Sequence, residues 1–302
     1  GITLGFNVSG VVASSNMLSI SEATVMCGRG VPVGFSQSPT MFMPVGVITV
    51  NDNGGDGALV NSYQTIKGRN DSTFINVFIG AGSFNVFTVT QPGANSIIFD
   101  DFTIGGNQQD VLQTNTHIGI LINPTLSPVI YSKIGRGVYI KEMSGQGISI
   151  MGEGMDNSDV EPFLVRDNRL GNLIVTSCDQ LIVRGNYRSS KGIYSSILFD
   201  GLGVGSAYLD NVISEENGAH GLFVSTLANE ASSIKVVGGS FSRNGKSGIK
   251  MDRAYYSSIV GALIERNNEE GVIFLDTIGT SLNSCNVSFN KFQGVLISNS
   301  ND

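Results

Sequence analysis

The strongest constraint on this chain is one phrase repeated four times toward its C-terminal end: an Asn, three residues, a Gly, then a branched apolar residue. The copies are Asn217 with Gly221 and Leu222, Asn244 with Gly248 and Ile249, Asn267 with Gly271 and Val272, and Asn290 with Gly294 and Val295. From Asn to Asn the interval is about 27 residues once and about 23 residues twice, within the range of stacked repeats. A unit of that length built from β-formers cannot cover its own apolar side, so successive copies must stack, and the pattern specifies a solenoid.

Each copy carries further strands. Segments beginning at Ser233, Ser258 and Ser281 precede short apolar runs at Phe241, Ile264 and Val287, which lie three residues before the next repeat Asn. After each Gly the residues alternate. Ile249 and Met251 are expected to point inward with Lys250 outward, and Val295 and Ile297 inward with Leu296 outward. The expected fold is therefore all-β, a single-chain parallel β-helix with an apolar lumen. Composition agrees: there are 39 Gly but only 14% charged residues, too few for long solvated helices.

Weaker copies lie upstream at Gly137, Gly147, Gly171 and Gly192. Further upstream, the runs Met41 to Val50 (MFMPVGVITV), Tyr63 to Arg69 (YQTIKGR) and Ser96 to Asn107 (SIIFDDFTIGGN) read as successive strands. This succession resembles the opening coils of the pectate-lyase-like superfamily of right-handed parallel β-helices. The resemblance covers residues 39–302 and implies about eleven coils of about 23 residues. It also implies an asparagine ladder, in which stacked side-chain amides bond from coil to coil. Asn217, Asn244, Asn267 and Asn290 fit that role, with Asn tolerating a left-handed turn and the following Gly allowing a tight corner. Residues 1–38 lack the coil rhythm and are expected to form a β-rich connector or cap. The rhythm runs to Ile297 without a capping pattern, so a C-terminal domain beyond the sequence, or a partner chain, is expected to cover that end.

Two residues after the Gly of successive copies stand Tyr139, Ser149, Leu173, Tyr194, Phe223, Lys250, Ile273 and Leu296, most of them apolar. An outward apolar column of this kind calls for a cover. Parallel association of three such helices would bury it, as in phage tailspikes and related virion appendages, which the chain resembles in its low charge and polar Asn, Ser and Gly content. A loop folding back would serve equally. The resemblance implies a homotrimer on a virion tail, made in the host cytoplasm and facing a bacterial surface polysaccharide; a secreted enzyme is the alternative location.

Charge limits the other partners. A formal net charge of −7 disfavours nucleic acid and anionic membrane surfaces, which need basic patches. No apolar run approaches the roughly 20 residues of a membrane span, and no signal-peptide pattern opens the chain. Cys27, Cys178 and Cys285 are odd in number and far apart, and are expected to be thiols in a reducing compartment.

Polysaccharide chemistry needs either two carboxylates for hydrolysis or, for elimination and epimerisation, a base at the sugar C5 and a cation near the uronate carboxylate. The densest acid cluster is Glu153, Asp156, Asp159 and Glu161, in a polar Gly-flanked segment expected to protrude as a loop. Glu153, Asp156 and Asp159 are the catalytic candidates. Arg166, Arg184, Tyr187 and Arg188, on the following coils, are the substrate-binding candidates, since coils stack about 4.8 Å apart. Asp252 and Asp276, with Tyr255 and Tyr256 as sugar platforms, form a weaker second set, and Asp100 and Asp101 a third. A calcium site at Asp156, Asn157, Asp159 and Glu161 would depart from the usual loop spacing. His117 and His220 lie in unrelated contexts, so neither a metal nor a cofactor is assigned. Binding without catalysis fits the same residues, because fold does not dictate function.

Overall fold

The computed structural model describes residues 118–300 apart from 126, 189–193 and 227–232, together with ten upstream strand backbones between Val25 and Gly105 and the side chains of Phe99 and Ile104. Among the described residues there is no helix. Asp101 and His117, and the side chains of Cys27 and Asp100, lie outside them.

The chain winds as a right-handed parallel β-helix whose strands fall into three sheets. One coil illustrates the order: Ile213–Glu215 lies in sheet 1, Leu222–Ser225 in sheet 2, Ser233–Val237 in sheet 3, and Ser240–Ser242 again in sheet 1. Sheet 1 has eleven strands, of which seven fall within residues 118–300; the helix there makes about seven turns, fewer than the eleven coils expected, and the other four strands lie upstream. The first of these, Val25–Cys27, pairs in register with Gly46–Asn51.

The lumen holds stacked aliphatic columns. In sheet 3 the column Ile134, Val160, Val183, Leu209, Val236 and Ile259 is buried in strict register. Each coil alone leaves such a row half uncovered, and stacking removes it from water. Val295 and Ile297 point the same way in sheet 2 yet are 38% and 63% exposed, because their coil has a described neighbour on one side.

The asparagine ladder forms at the corner between sheets 1 and 2. Asn217 Nδ2 donates to Asn244 Oδ1, Asn244 Nδ2 to Asn267 Oδ1, and Asn267 Nδ2 to Asn290 Oδ1, each at 2.9 Å. Two details differ from expectation. The left-handed residue is the one before each Asn, with φ of 59° at Glu216 and 55° at Arg243, which frees the Asn to aim its amide along the stack. The repeat Gly is required by space and not by φ: a Cβ on Gly248 would lie 2.6 Å from Ile264 Cγ2 and 2.8 Å from Asn267 Nδ2.

The outward column of sheet 2 is also corrected. Register aligns Leu121, Ser149, Ile174, Leu198, Phe223, Lys250, Ile273 and Leu296. Leu173 points inward and is fully buried, Tyr139 belongs to sheet 1, and Tyr194 precedes its strand. Counting from Gly fails there because Asn172 and Ser196 hold the position that Gly147 and Gly221 hold in neighbouring coils. Cys178 is buried and Cys285 half-buried, both as free thiols; burial pushes the Cys178 thiol up, away from reactivity.

Candidate functional site on sheet 3

The expected acidic loop is not a loop. Met155–Asp156 and Asp159–Val160 are short strands in the coil, turned at Asn157 with φ 48°. Small polar residues make that corner: Ser158 Oγ donates to Asp156 O at 2.7 Å and accepts from the Ser132 N–H at 3.0 Å. The corner separates the acids. Glu153 is exposed on the preceding turn, and Asp156 pairs with Ile130 and Asp179 on an extension of sheet 2. Burial raises the Asp156 carboxyl, the charges of Asp179 and Glu153 add to it, and the Asp179 amide at 2.7 Å offsets part. Asp159 lies past the corner on sheet 3.

On sheet 3 the register builds an outward column of Lys133, Asp159, Ile182, Tyr208, Lys235, Ser258 and Ser281. Together with Tyr131, Asn157, Gln180, Ser206 and Ser233, the middle of this column lines a cavity of about 580 Å³. The lining spans five successive coils, hence about 19 Å along the helix axis. Tyr131 is 69% exposed at one end, and Tyr256, 64% exposed, stands on the same corner further along. Lys235 lies over the Tyr208 ring at 5.7 Å. It has no acidic partner among the described residues.

Two residues after Asp159, Ile182 and Tyr208 stand Glu161, Arg184 and Asp210. Glu161 is 4% exposed and binds Lys133 Nζ and, at 3.1 Å, Arg136 Nε. Burial works against its charge, but these two hydrogen bonds prevail and hold the carboxyl below the usual glutamate range. Arg184 donates through Nε to Asp210 Oδ2 at 2.8 Å and brings its NH1 to 3.8 Å from Glu161 and 3.9 Å from Asp159. Ionised Glu161 has no proton to give and Asp210 is tied to Arg184, so of these three carboxylates Asp159 is the one open toward a ligand. That disfavours a hydrolytic carboxylate pair.

The binding candidates divide. Arg184 joins Asp159. Arg166 and Arg188 lie on sheet 1, where Arg166 Nε donates to Tyr139 Oη at 2.6 Å and Arg188 faces Glu215 and Glu216 at 3.8 and 3.6 Å. Tyr187 is a core residue, fully buried, with its hydroxyl donating to Arg184 O at 3.0 Å; it faces the lumen because it shares the inward column of Val165 and Ser214. Asp252 accepts from Arg253 at 3.1 Å on sheet 2. Among the described residues no group of His, Cys, Asp and Glu could hold a metal. Glu161 is engaged by cations, which removes it from the calcium set. Tyr208 and Lys235 were not singled out in the sequence. A signal exists, since the interval between them equals that between Asn217 and Asn244.

No family model and no curated protein matches the sequence. Solved structures do match in fold. The mannuronan C-5 epimerase AlgE4 A-module of Azotobacter vinelandii aligns with a TM-score of 0.62 at 16% identity, covering 83% of this chain and 69% of that one. The AlgE6 A-module of the same organism aligns at 0.61 and 18%, covering 85% and 71%. At these identities the likeness speaks for architecture, which is also what the three-sheet winding and the asparagine ladder give: the chain is a right-handed parallel β-helix.

Proposed function

We propose that the chain binds an extended acidic polysaccharide of a bacterial surface along sheet 3 and acts on it by proton abstraction. The observation that carries this reading is the register-aligned column Asp159, Ile182, Tyr208 and Lys235 in a groove of about 580 Å³. Lys235, without an acidic partner among the described residues, is placed to hold a uronate carboxylate, which acidifies the C5 proton. Asp159 serves as base and the Tyr208 hydroxyl as proton donor on the other side of Ile182. Tyr131 offers a face for sugar stacking at the end of the groove. The epimerase modules that share the architecture act, by their names, on an acidic polysaccharide, in keeping with this class.

The test is incubation with polygalacturonate, alginate and purified capsular polysaccharides in deuterated water. Unsaturated uronate ends would report elimination, and deuterium at C5 without chain cleavage would report epimerisation. Asp159→Asn and Tyr208→Phe should remove either signal, and Lys235→Ala should weaken binding of acidic but not neutral glycans. New reducing ends without either signature would sink the mechanism. Binding without turnover on every polymer would leave a receptor-binding, adhesive protein, the second reading.

In the same proposal the chain is a tail-appendage β-helix that assembles as a parallel homotrimer. The outward apolar column of sheet 2 supports this, since Leu121, Leu198, Phe223 and Leu296 all remain partly exposed within one chain.

A further inference from the structure

Beside the main groove, at the corner where sheet 3 turns into sheet 1, lies a second cavity of about 350 Å³, with Arg136, Glu161, Phe163, Arg184, Asn186 and Asp210 in its lining. We propose that this pocket is a separate sugar subsite, which takes a single acidic branch residue of a polymer lying in the main groove. The assignment rests on the reading that the main groove holds a polysaccharide.

An exposed guanidinium selects an acidic occupant. Lys133, Arg136 and Arg184 are balanced by Glu161, Asp159 and Asp210, but unevenly in space: Lys133 and Arg136 both converge on Glu161, while Arg184 is held by Asp210 and lies 3.9 Å from Asp159. The open end of the cluster is Arg136, whose side chain is 78% exposed and engages Glu161 through Nε. That geometry leaves the terminal guanidinium nitrogens for a carboxylate. The ring of Phe163, 64% exposed, supplies an apolar platform of the kind a sugar face covers. Phe163 is held in place at both backbone groups, its N–H donating to Val138 O and its carbonyl accepting from Asn186 Nδ2, each at 2.9 Å.

Position selects a branch. The two cavities meet at Arg184, which lines the second and reaches to 3.9 Å from Asp159 in the first. Asp159 and Glu161 are two residues apart along the chain, a step of at most about 6.7 Å, so one sugar attached sideways to the main chain spans it.

The experiment is an NMR titration of the full chain, reading the Arg136 Nε–H resonance, with methyl β-D-glucuronide and the neutral methyl β-D-glucoside as probes. Glucuronide should shift Arg136 saturably, glucoside should not, and Phe163→Ala should weaken the glucuronide response about fivefold. Equal responses to both sugars, or no effect of Phe163→Ala, would overturn the proposal. Linear polygalacturonate separates this from the main groove. Its binding should fall with Lys235→Ala and be indifferent to Phe163→Ala. Loss with Phe163→Ala would also overturn the branch assignment, whereas indifference to Lys235→Ala counts against the main groove alone.

Discussion

Asn267→Ala tests how much of the stability resides in the ladder. The Asn267 side chain makes four hydrogen bonds: its Oδ1 accepts from Asn244 N–H at 3.0 Å and from Asn244 Nδ2 at 2.9 Å, and its Nδ2 donates to Phe241 O at 3.0 Å and Asn290 Oδ1 at 2.9 Å. Truncation strips the amide of Asn244, which is fully buried, of its acceptor. An orphaned buried donor costs about 1–3 kcal/mol, and each remaining bond about 0.5–1.5 kcal/mol net, so the loss is expected to be about 4 kcal/mol. Ser206→Ala is the control. It removes two side-chain hydrogen bonds, one from Gln180 N–H at 2.9 Å and one to Asp179 Oδ1 at 2.6 Å, both exposed to water that can replace them, and is expected to cost about 1 kcal/mol or less. Urea unfolding followed by circular dichroism, with equal slopes for all three proteins, gives both numbers. A loss for Asn267→Ala no larger than that for Ser206→Ala would refute the reasoning, because burial is what makes the ladder bonds costly to lose.

His220 is buried, with Nδ1 accepting from Ser247 N–H at 3.2 Å, and burial followed by the charges of Lys250 and Lys246 lowers its pKa to about 4. Since the unfolded imidazole protonates near 6.5, its contribution is complete above that pH and is lost as pH falls toward 4, by about 3 kcal/mol at most; His220→Gln should flatten the stability profile across this window. Glu161, held below the usual carboxylate range, contributes above its unfolded pKa of about 4.3 and loses that contribution as pH falls through the lower folded value. Glu161→Gln should therefore flatten the acid limb below about pH 4.3 and lower stability at pH 7 by about 1–2 kcal/mol, since Lys133 and Arg136 can rehydrate. Phe223→Glu should disperse a trimer to monomers in sedimentation equilibrium while leaving the β-sheet spectrum intact, and a wild-type chain already monomeric would remove the trimer reading.

Much of the fold was legible because a β-helix repeats a local code. The inward alternation around Ile249 and Met251, and the Asn and Gly of each copy, are set by neighbours close in sequence, so the period was visible directly. The reasons for Asn and Gly were less legible: which residue takes the left-handed turn, and what a Cβ would strike, depend on the next coil. The acid cluster looks like a loop in the sequence because Glu153, Asp156, Asp159 and Glu161 are uniformly polar. They are a strand, a corner and another strand, so they point to different faces.

The sequence by itself determined the solenoid, its period and its apolar lumen, because these need only that each coil resemble the next; the ladder was implied by the family resemblance. Tertiary structure alone decided which side chains meet on sheet 3. Asp159, Ile182, Tyr208 and Lys235 are separated by unequal intervals that lengthen from one coil to the next, and whether they align or slip depends on how much chain each corner absorbs. The same holds for Arg184, drawn to Asp159 and Asp210, and for Tyr187, three residues later, turned into the core.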